Sequence, residues 1–297
     1  MELPEDLIQH HVRIALDEDL GQRGDLTSET VVPRSARARG RIFAKQAGIL
    51  AGIALAVETF RVCDPESEIE VLAQDGSELA PGSPVLMVQG SARGLLAAER
   101  TALNFLQQLS GVASLTAQFV QAVRGTGAIV LETRKTTPGL RTLQKYAVRV
   151  GGGVNHRIGL YDRILLKENH FALSGHGMDA AGYQKTVEEA VATGGRFGPV
   201  TVEVRNLDEA RAAAIGGADV LLLDNMDLDS LHETVLAMRE LVRGKDQDLL
   251  LEASGGLTLE TAGRVAAAGV DRLSVGALTH SAPALDLSML MDEMRSA

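Results

Sequence analysis

The sequence predicts an α/β protein with a small mixed N-terminal domain and a larger, parallel α/β barrel. Three observations carry this. Beyond Gly127, six short apolar runs alternate with helical patterns, the signature of parallel strands covered by helices. No G-x-G-x-x-G follows the first of those runs, and no G-x-x-x-x-G-K-[ST] occurs anywhere. The nucleotide fingerprints of open, doubly wound sheets are therefore missing, which favours a barrel. Before Gly127, strands and helices mix without regular alternation, as in an α+β domain.

Leu3, Leu7, Ile8, Val12, Ala15, Leu16 and Leu20 fall at helical spacing, and Gly21 and Gly24 end that helix. From Ala36 to Lys45, Arg37, Arg39, Arg41 and Lys45 interleave with apolar residues, as in a half-exposed strand. A helix over 53–62 follows, then short strands at Ile69–Ala73 and Pro84–Val88 between the turn-formers Asp75-Gly76 and Pro81-Gly82. Two helices are expected next, Ala92–Leu109 and Val112–Arg124, broken at Gly111. The first carries Leu95, Leu96, Ala102, Leu103, Leu106 and Leu109, a broad apolar face that reads as an interface.

The six apolar runs are Ile129–Leu131, Ile164–Leu166, Val200–Val204, Val220–Leu223, Leu249–Leu251 and Leu273–Val275. Helix patterns near Leu140–Val150, Asp179–Thr193, Leu207–Ile215, Leu228–Val242 and Leu259–Ala268 separate them. The expected domains are 1–112, 113–284 for the barrel, and a C-terminal helix over 285–297 returning to the N-terminal domain.

Composition excludes several function classes. The chain of 297 residues carries a formal charge of −10, which repels phosphate backbones and anionic membranes unless its bases are concentrated. Aromatics make up only 3%, too few for base-stacking platforms. Neither nucleic acid nor membrane is expected as a partner. Cys63 is the only cysteine, so no internal disulfide and no thiolate metal cluster can form. The start, MELPEDLIQHH, lacks the pattern of a signal peptide, and a cytoplasmic location is expected.

In a parallel barrel, catalytic groups gather where the strands end. Here the ends read Glu132-Thr133-Arg134-Lys135, Lys167-Glu168-Asn169-His170, Glu203-Val204-Arg205, Asp224-Asn225, Glu252-Ala253-Ser254-Gly255-Gly256, and Ser274-Val275-Gly276. From Glu132 to Glu168 there are eight basic and three acidic residues, a net of +5 in an acidic chain. Arg141, Lys145 and Arg149 recur every four residues and fit a solvated helix face. Arg134, Lys135 and Lys167 follow apolar strands directly and should point into the mouth. Cations there suit a small polyanion. His156-Arg157 lies in GGGVNHRIG, whose glycines permit close backbone approach. Glu203 and Asp224 can hold Mg²⁺, accept ribose hydroxyls, or stabilise a cationic carbon. Ser254-Gly255-Gly256 before a helix, and Ser274-Val275-Gly276, offer backbone N–H groups to phosphate.

The strings ERTALNFLQQLSGVASLT, ETRKTTPGLR, GGGVNHRIGLYDRILLKENH, VTVEVRNLDEA, LLLDNM, EASGG and VDRLSVGALTHSAP together resemble the quinolinate phosphoribosyltransferases, from GDLTSE at Gly24 onward. Glu132 and Glu168 stand where the family more often has Asp. The resemblance implies an N-terminal α/β sandwich and an incomplete α/β barrel, the type II phosphoribosyltransferase fold. It implies transfer of phosphoribose from phosphoribosyl pyrophosphate to quinolinate with decarboxylation, giving nicotinate mononucleotide, pyrophosphate and CO₂ in NAD biosynthesis. Mg²⁺ would accompany phosphoribosyl pyrophosphate. A homodimer with shared sites is implied, Arg100 reaching the partner's site. Arg134, His156, Arg157 and Lys167 would bind the quinolinate carboxylates, with Lys135 near the pyrophosphate. Glu203 and Asp224 would hold the ribose and its metal. Ser254, Gly255, Gly256, Ser274, Gly276 and His280 would serve phosphate groups. Two alternatives stay open at this point: a related phosphoribosyltransferase acting on another carboxylated ring, and a non-catalytic anion-binding protein.

Overall fold

The structure is a computed structural model that describes residues 3–244 and 248–294. In chain order its elements are α1 (Glu5–Leu20), α2 (Leu26–Val31), β1 (Arg37–Ala44), β2 (Gly48–Ile49), α3 (Ile53–Cys63), β3 (Glu68–Val71), β4 (Glu78–Leu79), β5 (Pro84–Ser91), α4 (Ala92–Ala122), β6 (Ile129–Leu131) and α5 (Arg141–Val150). There follow β7 (Leu165–Leu166), α6 (Glu168–Leu173), α7 (Ala180–Gly194), β8 (Thr201–Val204), α8 (Leu207–Ile215), β9 (Val220–Asp224), α9 (Leu228–Val242), β10 (Leu250–Ser254), α10 (Leu259–Ala267), β11 (Arg272–Ser274), α11 (Ala277–His280) and β12 (Leu287–Glu293). They form two compact units. One comprises residues 1–117, 143–152 and 282–297, the other residues 118–142 and 153–281.

The first unit is a four-stranded antiparallel sheet, ordered β12-β1-β5-β3, with a small β2–β4 ribbon and helices. Along β1 the arginines at 37, 39 and 41 face solvent while Ala38, Gly40, Ile42 and Ala44 are buried, the alternation its sequence predicts. Ile42, Phe60, Leu86, Leu95, Leu103, Leu106 and Met289 pack into one core.

Four expectations are corrected here. The C-terminal helix is a strand from Leu287 to Glu293, paired antiparallel with β1; residues 295–297 lie outside the described residues. The apolar residues it turns inward stand at 287, 289 and 291, the period of a strand, with Leu290 exposed, and what stabilises them is β1, distant in sequence. Second, α4 runs unbroken past Gly111. A Cβ there would lie 2.1 Å from the Pro283 carbonyl oxygen, so the glycine serves close packing and does not break the helix. Third, the apolar face expected as an interface is internal: Leu95, Ala102, Leu103, Leu106 and Leu109 are all buried, leaving Leu96 half-exposed. Fourth, residues 143–152 belong to this unit and not to the barrel. The Tyr146 hydroxyl donates to Asp75 Oδ2 at 2.6 Å, and a Cβ on Gly151 would lie 2.3 Å from the Ala113 carbonyl oxygen. Lys145 is 1% exposed, so the helix face it shares with Arg141 and Arg149 is not simply solvated.

The second unit holds six parallel strands ordered β6-β11-β10-β9-β8-β7, with helices in the connections. The end strands β6 and β7 do not pair, so the barrel is incomplete. Val202, Val204, Leu221, Leu223, Leu251 and Leu273 are buried on one face and Thr201, Val220 and Leu222 on the other, as in a sheet covered on both faces. Side-chain period two and the strand register put Leu165, Glu203, Leu222, Asp224, Glu252, Ser254, Arg272 and Ser274 on one common face.

Candidate active site

That common face opens into a cavity of about 570 Å³ at the C-terminal ends of the strands. Thr133, Arg134, Lys135, His156, Arg157, Leu165, Lys167, Glu203, Leu222, Asp224, Asn225, Ser254, Gly255, Gly256 and Ser274 line it. The sequence-predicted residues from Arg134 to Gly256, and Ser274, are thus brought together. Gly276 and His280 stand just behind: a Cβ on Gly276 would lie 3.1 Å from His280 Nε2 and 3.2 Å from Lys135 Cδ. Arg100 does not line the cavity; it is exposed on α4.

The cations are held by local structure. Thr279 Oγ1 donates to the Lys135 carbonyl at 2.8 Å. Arg141 braces the β6–α5 loop through Thr136 Oγ1 at 3.0 Å and the Ile158 carbonyl at 3.0 Å. The backbone N–H of Lys167 donates to His170 Nδ1 at 2.9 Å. Burial, then the charges of Arg134 and Arg163, lower the Arg157 pKa, while Asp162 opposes them. An anion in the cavity would relieve that strain among the cations. Arg134 Nε is buried without a hydrogen-bond partner among the described residues, and a buried donor of that kind calls for an acceptor.

The acidic side is equally ordered. Glu203 forms an ion pair with Lys167. Asp224 accepts from Asn225 Nδ2 at 2.7 Å. Asn225 has φ +53°, the left-handed conformation that Asn tolerates better than most residues. A Cβ on Gly255, itself at φ +97°, would lie 2.2 Å from Asn225 Oδ1. Glycine is therefore required at 255. The turn from Ser254 to Gly256 can present its backbone closely to a ligand. Thr258 caps α10 and exchanges hydrogen bonds with Thr261, so that helix start is partly satisfied within the protein.

Beneath the cavity lie two buried carboxylates. Glu132 accepts from the His156 backbone N–H at 3.0 Å. Glu252, 1% exposed, accepts from Ser274 Oγ and lies 3.3 Å from His156 Nε2. Burial alone would raise the Glu252 pKa; the hydrogen bond from His156, the Ser274 hydroxyl and Arg272 together hold it below the ordinary value. Glu132, Glu252, Thr133 and Asn225 were not among the expected site residues. For Glu252 a signal existed, because it sits two residues before Ser254 and so shares its face. Arg205 turns away to Glu168 and Glu209.

An incomplete parallel α/β barrel whose mouth gathers four cations and two carboxylates beside a glycine turn defines an enzyme for small polyanionic substrates. Residues 25–110 match the quinolinate phosphoribosyl transferase N-terminal domain and residues 112–290 the C-terminal domain of the same family. The chain belongs to the quinolinate phosphoribosyltransferase family. It is 42% identical over 286 residues to a carboxylating nicotinate-nucleotide pyrophosphorylase of Mycobacterium leprae, covering 96% of this chain and 97% of that one. Its structure resembles NadC from Streptococcus pyogenes with a TM-score of 0.89 at 38% identity, covering 99% and 100% of the two chains. The nicotinate-nucleotide pyrophosphorylase of Francisella tularensis gives 0.86 at 35% identity, covering 98% of each.

Proposed function

We propose that the protein transfers phosphoribose from phosphoribosyl pyrophosphate to quinolinate and releases pyrophosphate and CO₂, forming nicotinate mononucleotide for NAD biosynthesis. The observation that carries this is the division of one cavity into a cationic half and a carboxylate half beside a glycine turn. Arg134, Arg157 and Lys167 suit the two ring carboxylates, and the unpartnered Arg134 Nε supplies a donor. Lys135, beside Gly276 and His280, suits the pyrophosphate. Ser254, Gly255, Gly256 and Ser274 suit the 5′-phosphate and neighbouring oxygens.

The pyridine nitrogen attacks the anomeric ribose carbon as the bond from that carbon to the pyrophosphate oxygen breaks, and intact pyrophosphate leaves with the electron pair. Positive charge develops on that carbon, and the carboxylates of Glu203 and Asp224 favour it. The surrounding cations hold two anionic substrates in reacting geometry. Loss of CO₂ leaves the electron pair of the broken bond on the ring carbon beside the pyridinium nitrogen, in the same positive field, and a proton from water takes its place.

No group of three or more His, Cys, Asp or Glu that could hold a resident metal occurs among the described residues. Two carboxylates suit Mg²⁺ arriving with the substrate, whose phosphate oxygens and water complete its shell. Mg²⁺ bound to phosphoribosyl pyrophosphate would neutralise charge on the leaving group.

A homodimer with shared sites completes the reading. Arg100 is exposed, and the Leu160, Tyr161 and Leu173 side chains, near the mouth in sequence, are 73%, 83% and 85% exposed. Exposed apolar residues of this kind suit an interface. No helix among the described residues is long and apolar enough to cross a membrane, and the reading places the reaction in the cytoplasm. The test is formation of nicotinate mononucleotide from quinolinate, phosphoribosyl pyrophosphate and Mg²⁺, each omitted in turn. Product only in the full mixture supports the proposal; no product, with folded protein, overturns it.

A further inference from the structure

His156 is drawn toward the substrate by resemblance, yet both its ring nitrogens are engaged within the protein. Nδ1 accepts the backbone N–H of Arg157 at 2.7 Å. A nitrogen that accepts carries no proton, so in the neutral ring the proton sits on Nε2. Nε2 faces Glu252 Oε1 at 3.3 Å. The backbone N–H of His156 is taken as well, by Glu132. The imidazole is thus held from both sides and is only 8% exposed as a side chain.

We propose that Glu252 is a positioning residue: it fixes His156 as the neutral Nε2–H tautomer, so that His156 aligns the Arg157 backbone instead of offering a cation to quinolinate. The inference rests on the quinolinate reading of the cavity. Among the described residues, three groups face Glu252, namely His156 Nε2, the Ser274 hydroxyl and, at 4.0 Å, Arg272 Nη1. Ser274, which lines the cavity, donates to the same Oε1 that faces His156, a bond that an amide oxygen can also accept. A carboxylate accepting the far N–H of a histidine is a recurrent way to fix its tautomer and orientation. Arg157 benefits directly. Its Nη1 donates to the Arg163 carbonyl at 3.1 Å, and its backbone N–H is anchored on His156.

The test has two arms. In full-length protein carrying ¹⁵N-labelled histidine, long-range proton–nitrogen correlation spectra should show His156 protonated on Nε2 and bare on Nδ1, with and without quinolinate. An Nδ1–H ring, or a doubly protonated ring in the quinolinate complex, overturns the proposal whatever any variant does. This arm needs no turnover, so it stands apart from failure of the proposed reaction. In the second arm, Glu252→Gln should raise the quinolinate KM on the order of tenfold, as when a charge-assisted hydrogen bond gives way to a neutral one. The KM for phosphoribosyl pyrophosphate should change less than twofold. Equal rises in both constants, or no change in either, would mean that Glu252 does not act through His156. Should Glu252→Gln fail to fold, His156→Asn and His156→Gln decide. The Asn oxygen can take the place of Nδ1 and keep the Arg157 contact, so it should retain at least fivefold more quinolinate affinity than Gln, which substitutes at Nε2. The reverse order contradicts the proposal.

Discussion

Gly255→Ala is the perturbation for which the structure gives the clearest magnitude. At φ +97° an L-residue is strained, and a left-handed conformation costs roughly 1–2 kcal/mol for alanine. The added Cβ would lie 2.2 Å from Asn225 Oδ1 and 2.8 Å from Asn225 N, so the side chain must swing away and the backbone must shift. Overpacking of this kind costs about 1–3 kcal/mol. The sum, roughly 2–5 kcal/mol, is borne by the turn that holds Asp224 through Asn225. The Tm should fall by about 5–15 °C, taking roughly 2–4 °C per kcal/mol for a domain of this size. The kcat/KM for phosphoribosyl pyrophosphate should fall by about 5- to 70-fold if half of that strain falls on the bound geometry, at about 1.4 kcal/mol per factor of ten. Differential scanning calorimetry and initial rates at saturating quinolinate read both. Wild-type Tm and wild-type kcat/KM in Gly255→Ala would refute the claim that this glycine and Asn225 form one rigid element.

Four further outcomes follow from the geometry. Lys135→Ala should lower kcat by roughly 10² or more with the fold intact, as when a charge aimed at the transition state is removed; near-normal kcat would remove Lys135 from the chemistry. Burial, then the nearby Asp19 and Asp64 charges, push the Cys63 thiol up to about 11, so its modification by iodoacetamide should be slow at pH 8 and accelerate up to about pH 11. Rapid modification of the native protein at pH 8 would contradict that environment. Mixing inactive Arg100→Ala with inactive Glu203→Ala should restore activity towards about a quarter of wild type, because a statistical half of the dimers regain one site of two. If mass spectrometry confirms exchange and no activity returns, Arg100 does not serve a partner's site. Asn225→Ala should weaken phosphoribosyl pyrophosphate binding about tenfold by freeing Asp224, with quinolinate binding unchanged; equal loss of both would place Asn225 elsewhere.

The barrel was legible because each strand is a short apolar run, and burial on both faces leaves nothing else those runs can be. The cavity was legible at the strand ends for the same reason: Lys167, Glu203 and Asp224 follow apolar residues directly, and Arg134 and Lys135 come three and four residues after Leu131. What escaped depends on contacts distant in sequence. The strand over 287–293 exists by pairing with β1, and its pattern alone, with Leu290 beside Met289 and Met291, reads equally as a helix. Gly111 looks like a break until Pro283 is seen against it. Gly151 looks like a ligand-approach residue until Ala113 is seen against it. Lys145 follows the spacing of an exposed face and is nevertheless buried. Glu252 shares the face of Ser254 by period two, but that it and Glu132 hold His156 from below the cavity depends on contacts no sequence pattern shows.

The central claim is that the cationic half of the cavity is built for both carboxylates of quinolinate. Leaving one set of cations unpaired should cost roughly 3–5 kcal/mol, by analogy with a broken buried ion pair. The direct measurement is the ratio of kcat/KM for quinolinate to that for nicotinate, with phosphoribosyl pyrophosphate and Mg²⁺ saturating and CO₂ release followed in parallel. A ratio on the order of 10²–10³ or higher is expected, with one CO₂ released per nicotinate mononucleotide formed from quinolinate. Comparable values for the two acids, or product from quinolinate without CO₂, would contradict it.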